Sequence, residues 1–227
     1  MLNNCKTLET SIVFKVSLWY FCPLIMKEKI IQKAAEMFIN LGFKSVTMDD
    51  IANEMGISKK TIYTHFNNKT ELIKETVLSV FHSITCGIDH IMSLDKNPIE
   101  ELYEMKKFTM LQLKNEKASP QYQLQKYYPE IYAMIKEMKF ENMNQCTVDN
   151  LKRGVEGGYY RKNINIDFIS RIYFLALSEI NNETIFPTHQ FPKIMIMEDY
   201  LEYHLRGIVT DKGKEILNQF INTKNND

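Results

Sequence analysis

The sequence is poor in the residues that cross-link or break a chain. Its 227 residues include four cysteines, six prolines and eight glycines. The cysteines, at positions 5, 22, 86 and 146, show no paired spacing, which argues against a disulfide framework and is typical of a reduced, cytoplasmic chain. The prolines fall at expected helix boundaries more than in helix interiors, and we find neither strand-like alternation nor an internal repeat. The pattern favours an all-α fold.

Neither sign of charge is in excess, since 28 basic side chains balance 28 acidic ones. A general affinity for polyanions is therefore not expected. Basic character is local instead: residues 56–70 contain three lysines, one histidine and no acid. The positive charge is therefore concentrated in one short segment and cancelled elsewhere in the chain.

One mostly apolar stretch, residues 12–26, is interrupted by Lys15 and Pro23. It is too short to cross a bilayer and lacks a small-residue cleavage site, so we expect no membrane association. It could be a secretory signal, a real N-terminal arm or the product of a translation start placed too early. We favour the last interpretation, with residues 1–25 a disordered or mis-started extension and Met26 the natural beginning.

Residues 47–72 carry the signals of two short helices joined by a tight turn. Thr47 and Asp50 have the spacing of a capping box, in which each side chain bonds the other residue's amide. Gly56 follows where a helix C-terminus tolerates a positive φ, and Ser58 is a strong N-cap for the next helix. The three-residue gap predicts a helix-turn-helix, whose second helix enters the DNA major groove.

The second helix has one apolar and one polar face. Ile62 and Phe66 repeat at i, i+4 and should point inward. A second box-like cap, Asn68 with Glu71, places Lys69 at the start of the following helix, where free amides also favour a phosphate. The outward residues are Lys59, Lys60, Thr61, Tyr63, Thr64 and His65.

Residues 28–75 contain a series of apolar, glycine and polar positions in a fixed order. These positions are Leu41-Gly42-Phe43, Val46-Thr47-Met48, Ile51-Ala52, Met55-Gly56-Ile57-Ser58, Ile62-Tyr63-Thr64-His65-Phe66, Lys69 and Leu72. In them the segment resembles the N-terminal domain of the TetR family of transcriptional regulators. The resemblance implies an all-helical homodimer with one DNA-binding domain and one ligand-binding and dimerisation domain in each chain.

The resemblance also implies roles for single residues. Thr47 and Tyr63 would contact phosphates, and Lys69 would anchor the DNA backbone. Each has a simpler alternative: Thr47 and His65 could act only as caps, Tyr63 could be an ordinary surface tyrosine, and the lysines could be solvated charges. The residues expected to face the groove are Lys59, Lys60, Thr61, Thr64 and His65.

We expect a DNA-binding domain over residues 26–72, an effector-binding and dimerisation domain over 73–222 and a polar tail over 223–227. A helix over 69–93 should connect the two domains, so that tilting it would move the recognition helix. Separate helices are predicted over 121–138 and 139–157.

The second domain is rich in tyrosine and methionine, which adapt to ligand pockets but are more commonly core residues. We predict a small, mainly apolar or aromatic ligand, although a chain that uses no ligand remains an alternative. The candidate ligand-binding residues are Tyr103, Phe108, Tyr122, Tyr128 and Met138.

Two apolar stripes near the C-terminus could form an isologous four-helix interface between two copies. The alternative is burial against the chain's own core. The predicted interface residues are Ile169, Tyr173 and Ile180 on a helix over 166–183, and Met197, Leu201 and Leu205 on a helix over 193–208.

His82, Cys86 and His90 recur at i, i+4 and i+8 along the connecting helix. At about 1.5 Å rise per residue the three span about 12 Å, so they cannot share one metal ion. A neighbouring pair with a ligand from elsewhere, or a thiol signal, stays an alternative, although we expect no metal or cofactor.

Three function classes remain. A ligand-responsive repressor of a palindromic operator fits best. An enzyme is disfavoured, because there is no clustered nucleophile and base, no Gly-rich phosphate loop and no His-Glu metal motif. A helical adaptor that keeps the DNA-binding domain but acts through protein contacts is the third.

Overall fold

A computed structural model describes residues 23–113, 120–180, 182 and 184–224. Over these residues the chain is helical, with one isolated antiparallel bridge between Tyr160 and Val209 and no strand. The all-α prediction is confirmed. No described helix is long and apolar enough to cross a membrane. The predictions for residues 1–22 and 225–227 lie outside the described residues.

The helices follow one another with short connections. In chain order they are α1 (Pro23–Leu41), α2 (Met48–Met55), α3 (Lys59–Tyr63), α4 (Lys69–Ser93), α5 (Pro98–Leu113), α6 (Pro120–Tyr127), α7 (Pro129–Glu156), α8 (Ile166–Glu179), α9 (Lys193–Arg206) and α10 (Asp211–Lys224).

One predicted helix boundary is wrong. The expected break between residues 138 and 139 does not exist, because α7 runs unbroken from Pro129 to Glu156. The break lies just before Pro129, since proline disfavours the helical conformation in the residue before it and is well suited to the first helical position. Tyr128 closes α6 by donating its N–H to the Leu124 carbonyl at 2.8 Å.

The described residues form two compact units. The first comprises residues 23–87, 113 and 120–136, and the second residues 88–112, 137–180, 182 and 184–224. The predicted domain division after residue 72 falls inside α4, which continues to Ser93. The assignment of DNA binding to residues 26–72 and of effector binding and dimerisation to residues 73–222 stays a prediction.

The core of the first unit is built by α1 to α4. Phe38, Ile51, Ile62 and Phe66 are almost completely buried in it. α6 and the start of α7 contribute further apolar side chains to the same core, Leu124 among them. The three helices of the predicted DNA-binding domain are therefore fixed by a shared apolar core.

The second unit contains a buried polar network between α5 and α7. The Glu101 carboxylate, fully buried, accepts hydrogen bonds from Asn150 at 2.8 Å and Arg153 at 2.5 Å. Tyr160 donates its hydroxyl to Asn150 at 3.1 Å. A buried carboxylate is tolerated when it is paired and hydrogen-bonded, so this network fixes the two helices to each other.

Candidate nucleic-acid interface

The capping box predicted at the start of α2 is present. The Thr47 hydroxyl oxygen accepts the Asp50 N–H at 3.1 Å, and Asp50 accepts the Thr47 N–H at 2.8 Å and its hydroxyl at 2.7 Å. The hydrogen bond from the Thr47 hydroxyl, followed by that from the amide, lowers the pKa of Asp50. The Thr47 hydroxyl proton is directed at Asp50, so donation to a phosphate requires it to rotate. The phosphate role of Thr47 stays a prediction.

The turn between α2 and α3 has the predicted geometry. Gly56 adopts the left-handed conformation with φ 63° and donates its N–H to carbonyls at the end of α2. Ser58 accepts the Thr61 N–H at 3.1 Å as N-cap of α3. Three residues separate α2 from α3, which is the spacing of a helix-turn-helix.

α3, the recognition helix, has only five residues. It ends at Tyr63, and Thr64 closes it by donating its hydroxyl to the Thr61 carbonyl at 2.6 Å. The His65 N–H bonds the Ile62 carbonyl at 2.9 Å, so the backbone continues as a tight turn towards Phe66.

The outer face of α3 presents hydrogen-bond donors. Lys60, Thr64 and Tyr63 are exposed, the last with 45% of its surface accessible. Thr61 and His65 are half-buried, and the Thr61 hydroxyl is engaged with the Ser58 hydroxyl at 2.8 Å. Lys60 makes no ion pair with another described residue. Ammonium and hydroxyl groups in this arrangement can bind phosphate oxygens or base edges.

Lys59 makes a contact that the sequence pattern does not predict. Its ammonium lies 2.8 Å from the carboxylate of Asp49, in the first turn of α2, and 5.9 Å from the centre of the Tyr63 ring. The hydrogen bond to Asp49 raises the pKa of Lys59. The two residues are ten positions apart, so only the fold of the turn shows that their side chains meet.

Lys69, the first residue of α4, is half-buried. Its ammonium donates to the Lys44 carbonyl at 3.4 Å. Burial lowers the pKa of Lys69, and attraction to Asp50 partly offsets this. Lys69 thereby contacts the loop between α1 and α2, and its contact with the DNA backbone stays a prediction.

The predicted cap before Lys69 closes differently from the expected box. The Asn68 side chain accepts the Glu71 N–H at 2.9 Å, as expected. The Glu71 carboxylate, however, accepts the backbone N–H of Asn67 at 2.7 Å and its side-chain amide at 2.9 Å. The cap therefore spans one residue more than the sequence pattern indicates.

The Tyr63 hydroxyl provides a test of backbone contact. We expect Tyr63→Phe to weaken DNA binding about tenfold, because a hydrogen bond to a charged group is lost, and to leave the order of preferred sequences unchanged. Competition binding with a panel of single-base variants measures both. Tyr122→Phe is the control, since Tyr122 is also exposed and lies on α6. A changed base preference would show that Tyr63 reads sequence instead.

Two of the predicted ligand residues lie in the first unit. Tyr122 is 56% exposed and accepts a hydrogen bond from Lys126 at 3.3 Å. Tyr128 is half-buried and packs its ring edge-on against Phe43, with 6.3 Å between ring centres. Tyr128 therefore supports the core around the DNA-binding helices.

The other three predicted ligand residues lie in the second unit. Tyr103 is buried and stacked on Phe220, with 4.8 Å between ring centres. Its hydroxyl has no hydrogen-bond partner among the described atoms. Phe108 and Met138 are half-buried. The ligand role of all five residues stays a prediction.

Most of the predicted dimer-interface residues are buried in the single chain. Tyr173, Ile180, Leu201 and Leu205 are 8%, 5%, 2% and 0% exposed. Side chains so deeply buried leave almost no surface for a second copy, as the alternative interpretation expects. The remaining two, Ile169 and Met197, are half-buried and offer only part of their surface.

The thiol and imidazole groups on α4 form a pair rather than a cluster. The Cys86 sulfur lies 3.6 Å from Nε2 of His82. Across the described residues, no group of three His, Cys, Asp or Glu side chains could hold a metal ion. Burial raises the pKa of the Cys146 thiol to about 11, which disfavours the reactive thiolate.

Comparison with known proteins gives the same interpretation of the N-terminal helices. A family model described as bacterial regulatory proteins of the tetR family matches residues 30–76. The curated repressor KstR2 of Mycobacterium tuberculosis is 25% identical over 150 residues, covering 63% of this chain and 73% of the relative. IcaR of Staphylococcus epidermidis, a negative regulator of a biofilm operon, is 37% identical over 57 residues, covering 25% of this chain and 31% of IcaR.

Solved structures share the fold. The structure of KstR2, described as a ketosteroid transcriptional regulator, superposes with a TM-score of 0.53 at 20% identity and covers 82% of this chain and 96% of that one. A transcriptional regulator from Cytophaga hutchinsonii superposes with a TM-score of 0.66 at 17% identity, and the match covers 81% of this chain and 98% of that one. With its capped turn and its match to the family model, the segment over residues 30–76 is a TetR-family DNA-binding domain.

Proposed function

We propose that this protein is a repressor that binds a palindromic operator as a homodimer and is released by a small, mainly apolar or aromatic ligand. The main observation behind the proposal is the face of α3 that is rich in hydrogen-bond donors. The helix begins at the N-cap Ser58, and Ile62 and Phe66, buried in the core, fix its opposite face. Regulators named as repressors among the relatives support the sign of control.

A second copy is proposed to cover the exposed apolar faces of α8 and α9. On α8, Phe168, Ile172 and Leu175 are 57%, 41% and 55% exposed at i, i+4 and i+7 spacing. Exposed apolar patches of this kind mark interaction sites, and the same patch on two copies can pair isologously. The corresponding exposed residues at the two ends of α9 are Ile194, Met195 and Tyr203. This set replaces the mostly buried stripe expected from the sequence.

The route from ligand to DNA is proposed to use α4 and α6. Five residues separate α3 from α4, which is continuous to Ser93. On α6, Gln123 accepts the Lys44 N–H at 3.2 Å, and a side chain at Gly42 (φ 85°) would collide with Gln123. α6 therefore contacts the loop that precedes the helix-turn-helix. A ligand that shifts either helix would change the orientation of α3.

The ligand class is inferred from side-chain chemistry. The chain has 13 methionines and 12 tyrosines, and such side chains adapt to apolar and aromatic ligands. Because the relative KstR2 is described as a ketosteroid regulator, steroids are the first class to test, followed by fatty acids and planar aromatics.

The experiment combines operator selection with ligand release. Duplexes enriched from a random library by the full chain are expected to contain two inverted half-sites. Adding the correct ligand class should then release the labelled duplex at a ligand concentration that leaves an unrelated DNA-binding protein bound. Enrichment of a duplex with a single site would contradict the dimer. If no compound in the panel or in an extract of the purified protein causes release, the adaptor hypothesis replaces ligand control.

A further inference from the structure

The ion pair between Lys59 and Asp49 links the first turn of the recognition helix to the first turn of α2. The two charged atoms are 2.8 Å apart, and each side chain is 54% exposed. Such a pair forms and breaks readily, because surface ion pairs contribute little and are screened by salt. Lys59 can therefore alternate between the carboxylate and a DNA phosphate.

Asp49 differs from the acid beside it. Asp50 is occupied by the capping box with Thr47, whereas the hydrogen bond that the structure shows for the Asp49 carboxylate is the one from Lys59. Through this ion pair, Asp49 also places a negative charge beside Lys59 in the first turn of α3, on the helix proposed to contact DNA. It acts on Lys59 by attraction and on the phosphate backbone by repulsion.

We propose that Asp49 is a specificity-determining residue, which restrains Lys59 and so lowers the affinity for non-operator DNA. The proposal rests on the DNA-binding function above. On a non-operator duplex, binding depends on phosphate contacts alone, and the carboxylate competes with phosphate for the Lys59 ammonium. On the operator, base contacts fix α3 in the groove. The Lys59 ammonium therefore leaves Asp49 and binds a DNA phosphate when the complex forms. Asp49 thus lowers the affinity for non-operator DNA more than the affinity for the operator.

The test compares Asp49→Asn with the matched variant Glu54→Gln. Both remove one negative charge from α2, but Glu54 faces Lys33, at 3.9 Å, and not Lys59. Each variant is titrated with the selected duplex and with a shuffled duplex of the same composition, between about 50 and 200 mM salt. Asp49→Asn should bind the shuffled duplex about fivefold more tightly, with a salt slope steeper by about one unit per subunit, and should change operator affinity less.

A Lys59→Ala background separates restraint of Lys59 from a general charge effect. In that background Asp49→Asn and Glu54→Gln should change the affinity for each duplex, and its salt slope, by the same amount. The proposal is overturned if the two variants already agree when Lys59 is present, or if Asp49→Asn tightens binding to the shuffled duplex more than Glu54→Gln does when Lys59 is absent. If the wild-type chain does not discriminate between the two duplexes, the proposed function itself is contradicted, so the two failures are distinguishable.

Discussion

Lys59→Ala combined with Lys60→Ala should reduce operator affinity about a hundredfold and flatten its salt dependence. Each phosphate contact contributes about 0.9 to the slope of log affinity against log salt, so losing two contacts in each of two subunits should lower the slope by about 3.6. Fluorescence anisotropy with the selected duplex at several salt concentrations measures both quantities.

The matched control for the lysine pair is Lys107→Ala with Lys162→Ala. These lysines are exposed and belong to the second unit, whereas α3 belongs to the first, so the control makes the same change in net charge outside the helix-turn-helix. The control variant should retain the operator affinity and the salt slope of the wild-type chain. A recognition-helix double variant that also retains both would contradict the assignment of the outer face of α3 to DNA.

Ile172→Glu combined with Leu175→Glu should convert the protein to a monomer and lower operator affinity by more than about a hundredfold. Both side chains are exposed on α8, so the fold of the single chain should survive, whereas burying two carboxylates in an interface is strongly unfavourable. A monomer engages one half-site and loses the gain from simultaneous binding of two. Sedimentation velocity measures the assembly and anisotropy measures DNA binding.

Leu94→Glu with Leu111→Glu is the control for the interface. Both leucines are exposed apolar residues of the second unit outside α8 and α9. The control should remain dimeric, and circular dichroism should show equal helix content in both double variants. A persistent dimer after substitution of Ile172 and Leu175 would contradict the proposed interface.

The helix-turn-helix could be predicted from sequence because its signals are local. Thr47 with Asp50, Gly56 and Ser58 act within three or four residues of their own positions, where spacing alone determines which groups meet. The ion pair between Asp49 and Lys59 could not be predicted in this way. It depends on the relative direction of two helices, which the turn fixes only once the apolar core has formed.

The faces of α8 could not be assigned for a different reason. The apolar residues of α8 lie on all sides of the helix. Both Tyr173, which is buried, and Leu175, which is exposed, therefore fit an apolar stripe. Periodicity identifies a core face only when the opposite face is polar. The break before Pro129, by contrast, was readable from sequence, since proline is a stronger signal of a helix boundary than the weak pattern change near residue 138.

Two copies of α3 are proposed to enter the major groove of one operator. Methylation interference at guanine N7, an atom of the major groove, tests this arrangement most directly on a duplex selected by the full chain. We expect two patches of interference on one face of the DNA, related by the dyad of the operator and separated by one helical turn of about 10 base pairs or a multiple of it. Interference spread evenly along the duplex, or none at any guanine of the selected sites, would contradict it.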